Sequence, residues 1–159
     1  MKTHLSNQNT MNVVVACPAM KNNDNISMMV RASSCLGASK IIITGNNRVN
    51  KHISRNCGIV IEHKNSVLPV IKKYKHLGYH IIALEQNDKS KSLYDFSFPD
   101  MPLLLVMGNE VRGMNSEVMA IADTVIEIPL YNDPYSLNVA MSVAICMNEI
   151  VKQRSKKGI

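Results

Sequence analysis

The fold class is indicated most directly by the stretch Leu103–Gly113, which reads LLLVMGNEVRG. An unbroken apolar run of this length is typical of a strand buried on both faces of a parallel sheet. The run leads straight into a turn that contains Gly108 and Gly113. Parallel α/β sheets bind ligands where their strands end, and glycine lets the backbone approach a ligand closely. A P-loop is excluded because Met114 and Asn115 follow Gly113, where Lys and Ser or Thr would be required, and the stretch does not match GxGxxG either. For this segment taken alone, a plain turn stays an alternative.

The rest of the chain alternates β-branched runs with segments of helical period, which indicates an α/β domain with a mostly parallel sheet and helices on both faces. We predict strands over Val13–Ala16, Lys40–Thr44, Gly58–Glu62, Tyr79–Glu85, Leu103–Met107 and Thr124–Pro129. We predict helices over Ile26–Leu36, Ser66–His76, Ser116–Ala122 and about Ser136–Arg154, with Gly37 and Gly78 ending the first two. No repeat or second core is visible. One domain is therefore expected over residues 12–154, between a polar tail at 1–11 and a basic tail at 155–159.

Composition narrows the class of protein. The chain has 159 residues, of which 46% are hydrophobic, and this suits a globular domain. No apolar run approaches the roughly 20 residues of a membrane span, and residues 1–10 carry no apolar signal segment, so we expect no membrane association and a cytoplasmic location. The four cysteines, Cys17, Cys35, Cys57 and Cys146, lie far apart without zinc-ligand spacing. They are predicted to be free, mostly buried thiols, and no metal site is expected.

The formal net charge of +6 is concentrated in the stretch Arg48–Arg55 and in the tail Lys152–Lys157. Positive charge raises the local concentration of polyanions such as RNA. Charge alone nevertheless favours the simpler interpretation of solvated loops and a frayed terminus. Aromatic residues are scarce and tryptophan is absent, so an aromatic base-stacking platform is not expected.

Two further segments place polar groups at predicted helix starts. Asn22–Asn25 leads into the first helix, where Asn25 is well placed as the N-cap and Ser27, Arg31 and Ser34 are predicted to lie opposite the apolar stripe. Ile126–Leu130 leads through Asp133-Pro134-Tyr135 to Ser136–Val139. A capped helix with an ordinary surface arginine explains the first segment, and capping explains Ser136. Neither segment decides a function by itself.

The last predicted helix is apolar almost all round. Met141 and Ile145 lie on the far side of its broad apolar face, and the clearly polar strip is confined to Asn138, Ser142, Glu149 and Gln153. A helix that covers a sheet needs only one apolar stripe. We therefore predict that a second copy of the chain covers the far side. The broad face itself consists of Leu137, Val139, Ala140, Val143, Ala144, Met147, Ile150 and Val151.

Taken in this order, the three segments resemble the SpoU/TrmH branch of the SPOUT methyltransferases, over about Asn22 to Arg154. The first motif of that family is matched by Asn22, Asn25 and Arg31, the second by Gly108, Asn109, Glu110 and Gly113, and the third by Ile128, Pro129 and Ser136–Val139. The stretches Gly78–Asn87 and Phe98–Gly113 also look close to ribose methyltransferase domains that modify a guanosine in tRNA.

The resemblance implies a fold and a cofactor. The fold is a parallel α/β sheet with a C-terminal deep trefoil knot, which general topology rules would argue against. The cofactor is S-adenosyl-L-methionine, held here by Leu84, Glu85, Gly108, Asn109, Gly113, Ile128, Leu130, Ser136 and Leu137. The family also implies a homodimer in which the last helix packs across the interface.

The resemblance further implies 2′-O-methylation of an RNA ribose, with the leading role assigned to Arg31. Because an arginine side chain is a poor base, we favour Arg31 as a charge that stabilises the developing alkoxide and grips the adjacent phosphate. Asn25, Glu110, Ser136 and Asn138 would hold Arg31, the RNA and the cofactor in place. The proton acceptor is left open.

Two departures and three alternatives accompany this hypothesis. The chain is expected to lack the extra RNA-binding domain and the terminal extension helices of many relatives, so its own basic loops or an auxiliary protein must select the RNA. Asn23-Asp24 replaces the Pro-containing entry common in the family. Transfer RNA, with guanosine favoured, is the first prediction and ribosomal RNA the second. Two further alternatives concern the activity itself. One is a non-catalytic knotted module that binds RNA or cofactor. The other is an unrelated nucleotide-binding α/β protein, which the missing phosphate-loop signatures disfavour.

Overall fold

The computed structural model describes residues 11–109, 112–132 and 136–158. This part of the chain forms seven strands and five helices, which alternate except for three successive strands in the middle. In order they are β1 Met11–Cys17, α1 Asn23–Cys35, β2 Ala38–Thr44, α2 Lys51–Asn56, β3 Val60–Lys64, α3 Val67–His76, β4 His80–Leu84, β5 Lys91–Ser92, β6 Leu103–Met107, α4 Ser116–Ile121, β7 Thr124–Glu127 and α5 Val139–Lys156.

The strands form one sheet in the order β3-β2-β1-β6-β4-β7-β5, and every neighbouring pair is parallel. The apolar run Leu103–Met107 lies at its centre as β6, which pairs with β1 from Val13↔Leu103 and with β4 from His80↔Leu103. All five residues of β6 are buried, as the unbroken apolar run predicted. The mostly parallel sheet is thus confirmed. The trefoil knot stays a prediction that follows from the family resemblance.

Alternate residues of the central strands point to two separate cores, and helices cover both faces as predicted. On one face the sheet packs against α1 and α5, with Ile26 and Val143 among the fully buried side chains. On the other face it packs against α3 and α4, with Ile71 at the centre. Both faces of the central strands are therefore apolar, which is why these strands read as continuous apolar runs rather than alternating ones.

Helix α1 begins earlier than predicted. Asn22, not Asn25, is its N-cap, and the Asn22 side chain accepts from the backbone N–H of Asp24 at 2.8 Å. Asn25 therefore lies inside the first turn. The polar face was also only partly right, because Ser27 is buried and Ser34 is half-buried, and only Arg31 of the three is exposed. A helix wheel places the serines next to the apolar stripe, where another segment covers them.

Helix α5 begins at Val139 rather than at Ser136, because the side chain of Asn138 accepts from the N–H of Ala140 at 2.9 Å and caps the helix. Within this chain Met141 is 53% exposed, and Ile145 is half-buried. The helix also continues through the predicted tail boundary to Lys156. Arg154 near its end is buried and donates to the carbonyl of Met101 at 2.8 Å.

Two elements were missed by the sequence analysis. Helix α2 has no buried residue, so it lacks the apolar period by which helices are recognised. Strand β5 has two residues and pairs only with β7. Strand β5 forms one edge of the sheet, and α2 leads into β3 at the other edge. Few side chains are buried there, so the hydrophobic pattern of the sequence is weakest.

The cysteines are free, but only two of the four are buried as predicted. Cys17 and Cys146 lie in the core, where burial raises the pKa of both thiols. Cys57 is half-buried and Cys35 is exposed. Among the described residues no helix is long and apolar enough to cross a membrane.

Candidate functional site

A cavity of about 590 Å³ opens where β4, β6 and β7 end and α5 begins. Ligand pockets of proteins typically have this size and lie at this edge of a parallel sheet. Its walls combine aliphatic side chains with a few polar groups. The lining residues are Leu84, Glu85, Gln86, Met107, Gly108, Asn109, Gly113, Glu127, Ile128, Leu130, Ser136, Leu137, Asn138, Val139 and Ser142.

The structure brings all nine residues of the predicted cofactor set into the wall of this one cavity. Loops after three different strands supply them, so the sequence motifs were separated along the chain but adjacent in space. Leu84 and Met107 are buried at the strand ends, and Leu130 is 40% exposed at the opening. The assignment of these residues to a cofactor stays a prediction.

Asn109 and Gly113 of the second motif are held together and leave room for one carboxylate. Asn109 and Gly113 exchange two backbone hydrogen bonds of 3.0 and 2.9 Å. Gly113 has a φ of +63°, a conformation that side chains with a Cβ rarely adopt. A Cβ on Gly113 would lie 3.1 Å from Oε2 of Glu85, and a Cβ on Gly108 would contact the same oxygen still more closely. The two glycines therefore hold open the space beside the Glu85 carboxylate.

The first and third motifs meet through a hydrogen bond. The Asn138 side chain donates through Nδ2 to Oδ1 of Asn25 at 2.9 Å, while its own Oδ1 caps α5. The Ser142 hydroxyl donates to the Asn138 carbonyl at 3.2 Å. Asn138 thus fixes the start of α5 against α1 and presents its remaining surface to the cavity. Asn25 does not line the cavity itself, but it bonds to Asn138, which does.

Asparagine side chains also tie together the loops that follow β6, β1 and β2. Asn109 donates through Nδ2 to the carbonyl of Ala19 at 2.6 Å. Asn47 accepts from the N–H of Met20 at 2.7 Å and donates to the Met20 carbonyl at 2.9 Å. Asn47 also donates to Oδ1 of Asn23 at 2.9 Å. Gly45 allows this close approach, because a Cβ there would lie 2.8 Å from the Cβ of Ala19.

The remaining predicted catalytic residues fall in different places. Ser136 is exposed and lines the cavity. Arg31 is exposed on α1 and is not among the lining residues, so within one chain it stands outside the cavity. Glu110 lies outside the described residues, as does the loop segment 133–135.

The cavity lining also contains Gln86, Met107, Glu127, Val139 and Ser142, which the predicted set of site residues leaves out. Glu127 is the most informative omission, because it is a second carboxylate and the last residue of β7. Its position at a strand end next to the predicted loop was a signal that could have found it. Within the described residues, no group of three or more His, Cys, Asp or Glu side chains could hold a metal ion.

Residues 12–148 match the family described as SpoU rRNA Methylase. The chain belongs to this family. The match includes all three motifs, the three strands that end at the cavity and the first half of α5, so the family assignment and the cavity concern the same part of the molecule.

Relatives in this SpoU family include enzymes named for tRNA and for rRNA. A tRNA (guanosine(18)-2′-O)-methyltransferase from Aquifex aeolicus is 28% identical over 153 residues, which cover 92% of this chain and 72% of that protein. The protein of the same name from Escherichia coli K12 is 24% identical, and the match covers 85% of this chain but 61% of that protein. A 23S rRNA (guanosine-2′-O-)-methyltransferase, RlmB, from Burkholderia sp is 37% identical over 87 residues, or 55% of this chain and 34% of that protein.

Solved structures share the fold. The Aquifex aeolicus TrmH/SpoU tRNA modifying enzyme superposes with a TM-score of 0.83 at 27% identity, over 92% of this chain and 77% of that one. The AdoMet-bound rRNA methyltransferase from Sinorhizobium meliloti superposes with a TM-score of 0.76 at 22% identity, over 91% of this chain and 56% of that one. The SPOUT fold of this chain is thereby confirmed.

Proposed function

We propose that this SpoU-family chain is an S-adenosyl-L-methionine-dependent RNA methyltransferase that methylates a ribose 2′-hydroxyl, with tRNA as substrate and guanosine as the favoured nucleotide. The observation that carries the proposal is the glycine-walled cavity in which the second and third motifs converge, with Asn25 of the first motif bonded to Asn138. The tRNA relatives that match most of this chain support the choice of RNA. We propose a cytoplasmic location on the same ground, since tRNA is its expected substrate.

The cavity residues fit S-adenosylmethionine. The two carboxylates, Glu85 and Glu127, are hydrogen-bond acceptors that suit the cofactor's hydroxyl and amino groups, and they complement its sulfonium charge. Aliphatic walls from Leu84, Ile128 and Leu137 suit the adenine ring. When bound, the cofactor supplies a methyl group that its sulfonium already activates.

The protein's own contribution is therefore positioning and charge. Asn138 is held rigidly by its bonds to Asn25 and Ala140, so it presents a fixed polar group at the cavity wall. Arg31 is exposed and free of ion pairs among the described residues, which leaves its guanidinium available for a ribose oxygen and a phosphate. Such a fixed charge stabilises a developing alkoxide without solvent reorganisation.

We also propose that the enzyme is a homodimer through the outer face of α5. Ile145 packs partly against the core, but Met141 is 53% exposed, so this face keeps an apolar surface that the described chain leaves partly uncovered. An auxiliary protein for substrate recognition stays a second possibility for the selection of RNA.

Transfer of a labelled methyl group tests the proposal. The purified chain is incubated with tritiated cofactor and bulk tRNA, bulk rRNA or no RNA, with and without a chelator. We expect label in tRNA, unaffected by chelator. Label in rRNA alone would favour the ribosomal alternative, which the 37% identity to the Burkholderia enzyme supports. Cofactor binding without transfer to either RNA would favour the non-catalytic module. Label in an RNA with a 2′-deoxy target would contradict ribose methylation.

A further inference from the structure

We propose that the groove between α2 and β3 is a second RNA-contacting site. It binds the phosphate backbone of the substrate at nucleotides other than the one whose ribose reacts. This inference rests on the RNA substrate of the proposed function. The groove has a volume of about 460 Å³. Aliphatic side chains of Val49, Ile59 and Ile61 form one part of its lining, and Arg48, Ser54 and His63 form the polar part.

The segment that leads into and forms α2 carries charge of one sign, and the nearby Glu62 of β3 is paired with Lys40 and Lys64. Residues 45–61 contain no Asp or Glu, and they include Arg48, Lys51 and Arg55, all exposed. Among the described residues, none of these three cations forms a salt bridge. An unneutralised cationic surface of this kind attracts phosphates and releases their counterions on binding.

The other basic region of the sequence is different. In the C-terminal part of α5, Lys152 pairs with Glu149 at 2.9 Å. Lys157 pairs with Asp100 at 2.7 Å, and Arg154 is buried against the Met101 carbonyl. The structure therefore separates two clusters that the sequence made look alike, and it leaves the α2 segment as the more available one.

The α2 segment is held in place by α1. Oδ1 of Asn23 accepts from the N–H of Arg48 at 3.0 Å, and the hydroxyl of Ser27 accepts from the N–H of Asn50 at 2.9 Å. The hydroxyl of Ser34 accepts from the N–H of Gly58 at 3.2 Å. Arg31 follows Ser27 by one turn of the same helix. A segment fixed at both ends presents its cations with little ordering cost on binding.

The groove and the cavity lie on the same face of the sheet, since Ile59 of the groove and Leu84 and Val139 of the cavity belong to the same hydrophobic core. The asparagine contacts described above connect the loop after β6 to the loop after β1 and then to the loop that leads into α2. Strand β3 lies four positions from β4 in the sheet. At 4.7–4.9 Å per strand this is roughly 19 Å. Over this distance, phosphates in the groove belong to nucleotides other than the target itself.

The test compares two matched pairs of substitutions that each remove two positive charges. The groove pair is Arg48→Gln with Arg55→Gln, and the control pair is Lys152→Gln with Lys157→Gln. Binding of fluorescent bulk tRNA is measured without cofactor at several salt concentrations. We expect the groove pair to weaken binding about tenfold or more at low salt. Loss of two phosphate contacts should also lower the slope of log affinity against log salt by about 1.4 to 1.8. The control pair should change the affinity less than twofold.

Kinetics add a second readout. For the groove pair the KM for tRNA should rise by the same factor as the dissociation constant, while kcat at saturating tRNA and the affinity for S-adenosylhomocysteine stay unchanged. Equal loss in both pairs, no loss in the groove pair, or a wild-type chain that does not bind RNA would overturn the inference. If the wild type binds tRNA through the groove but transfers no methyl group, the proposed function fails and the groove assignment stands.

Discussion

The two openings on the α1 and α5 face of the sheet differ in charge. The cavity at β4, β6 and β7 presents the carboxylates of Glu85 and Glu127, whereas the groove at α2 and β3 presents Arg48 and, around it, Lys51 and Arg55. They also differ in how the sequence builds them. Glycines and strand ends shape the cavity, and hydrogen bonds from α1 to a surface segment fix the groove.

This separation suits an enzyme with two unlike ligands. A cationic, carboxylate-seeking ligand belongs in the first opening and a polyanion in the second, so each opening disfavours the other's ligand. The net charge of +6 is therefore less informative than its distribution. Variants that alter one region and leave the other intact can test this division.

The largest effect is expected at Arg31, which lies on α1 and is not among the residues that line the cavity. Arg31→Ala should lower the single-turnover rate about 10² to 10³-fold, because it removes a positioned charge that acts in the transition state. Since Arg31 is exposed, the melting temperature and the cofactor affinity should barely change. Arg31→Lys should recover little, because an ammonium cannot make forked contacts to hydroxyl and phosphate. A variant that reacts at the wild-type rate would refute the mechanism.

The cavity can be disrupted without the groove through Gly113. Gly113→Val places a β-branched side chain at φ +63° and a Cβ 3.1 Å from the Glu85 carboxylate. Strain of about 1–3 kcal/mol and a filled pocket should weaken S-adenosylhomocysteine binding by more than tenfold in calorimetry. Binding of tRNA in the absence of cofactor should be retained. Cofactor affinity equal to that of the wild type would contradict the assignment of this cavity.

In the proposed homodimer, the partner subunit covers the outer face of α5 and leaves both openings accessible. Met141→Asp replaces an exposed apolar side chain with a charge, which would be buried unpaired in the proposed interface at a cost of several kcal/mol. Sedimentation should show a dimer for the wild type and a shift toward monomer for the variant. Leu77→Asp, the same kind of change at an exposed apolar residue that ends α3 on the other face of the sheet, is a control for added charge. A monomeric wild type would end this proposal.

The smallest effect is expected beside the groove, at Glu62 of β3. Hydrogen bonds from Lys64 and Lys40 lower the pKa of Glu62 to about 2. The ordinary value in an unfolded chain is about 4.3, so this pair stabilises the fold above about pH 4 and stops doing so as the pH falls toward 2. Because the groups are partly solvated, Glu62→Gln should cost at most about 1 kcal/mol at pH 7. Chemical denaturation at pH 7 and pH 3 should show the difference shrinking at the lower pH. A difference that grows on acidification would contradict this sign.

The sequence predicted well wherever burial is two-sided. The run Leu103–Met107 has the same bounds in the structure, since no polar residue blurs them. The nine residues of the predicted cofactor set followed from the family resemblance, and the residues alone indicated a ligand only at the glycine turn after β6. Helix α2 could not be predicted, because its six residues bury no side chain. The segment is held instead by hydrogen-bond acceptors on α1, such as the hydroxyl of Ser27, which lie far away in the sequence. Asn25 was assigned to a cap because its actual partner, Asn138, lies 113 residues away, beyond any local pattern.

The central position of β6 has a consequence for biosynthesis. Val13 of β1 pairs with Leu103, so 90 residues must be made before the first strand meets its neighbour on that side. At 5–20 residues per second this takes roughly 5 to 18 s on the ribosome. During that time β1 can pair only with β2, and its other edge exposes unpaired backbone groups that invite association with other chains. A nascent chain of this protein therefore has a long interval in which it depends on protection, and slowing its translation should lower its soluble yield.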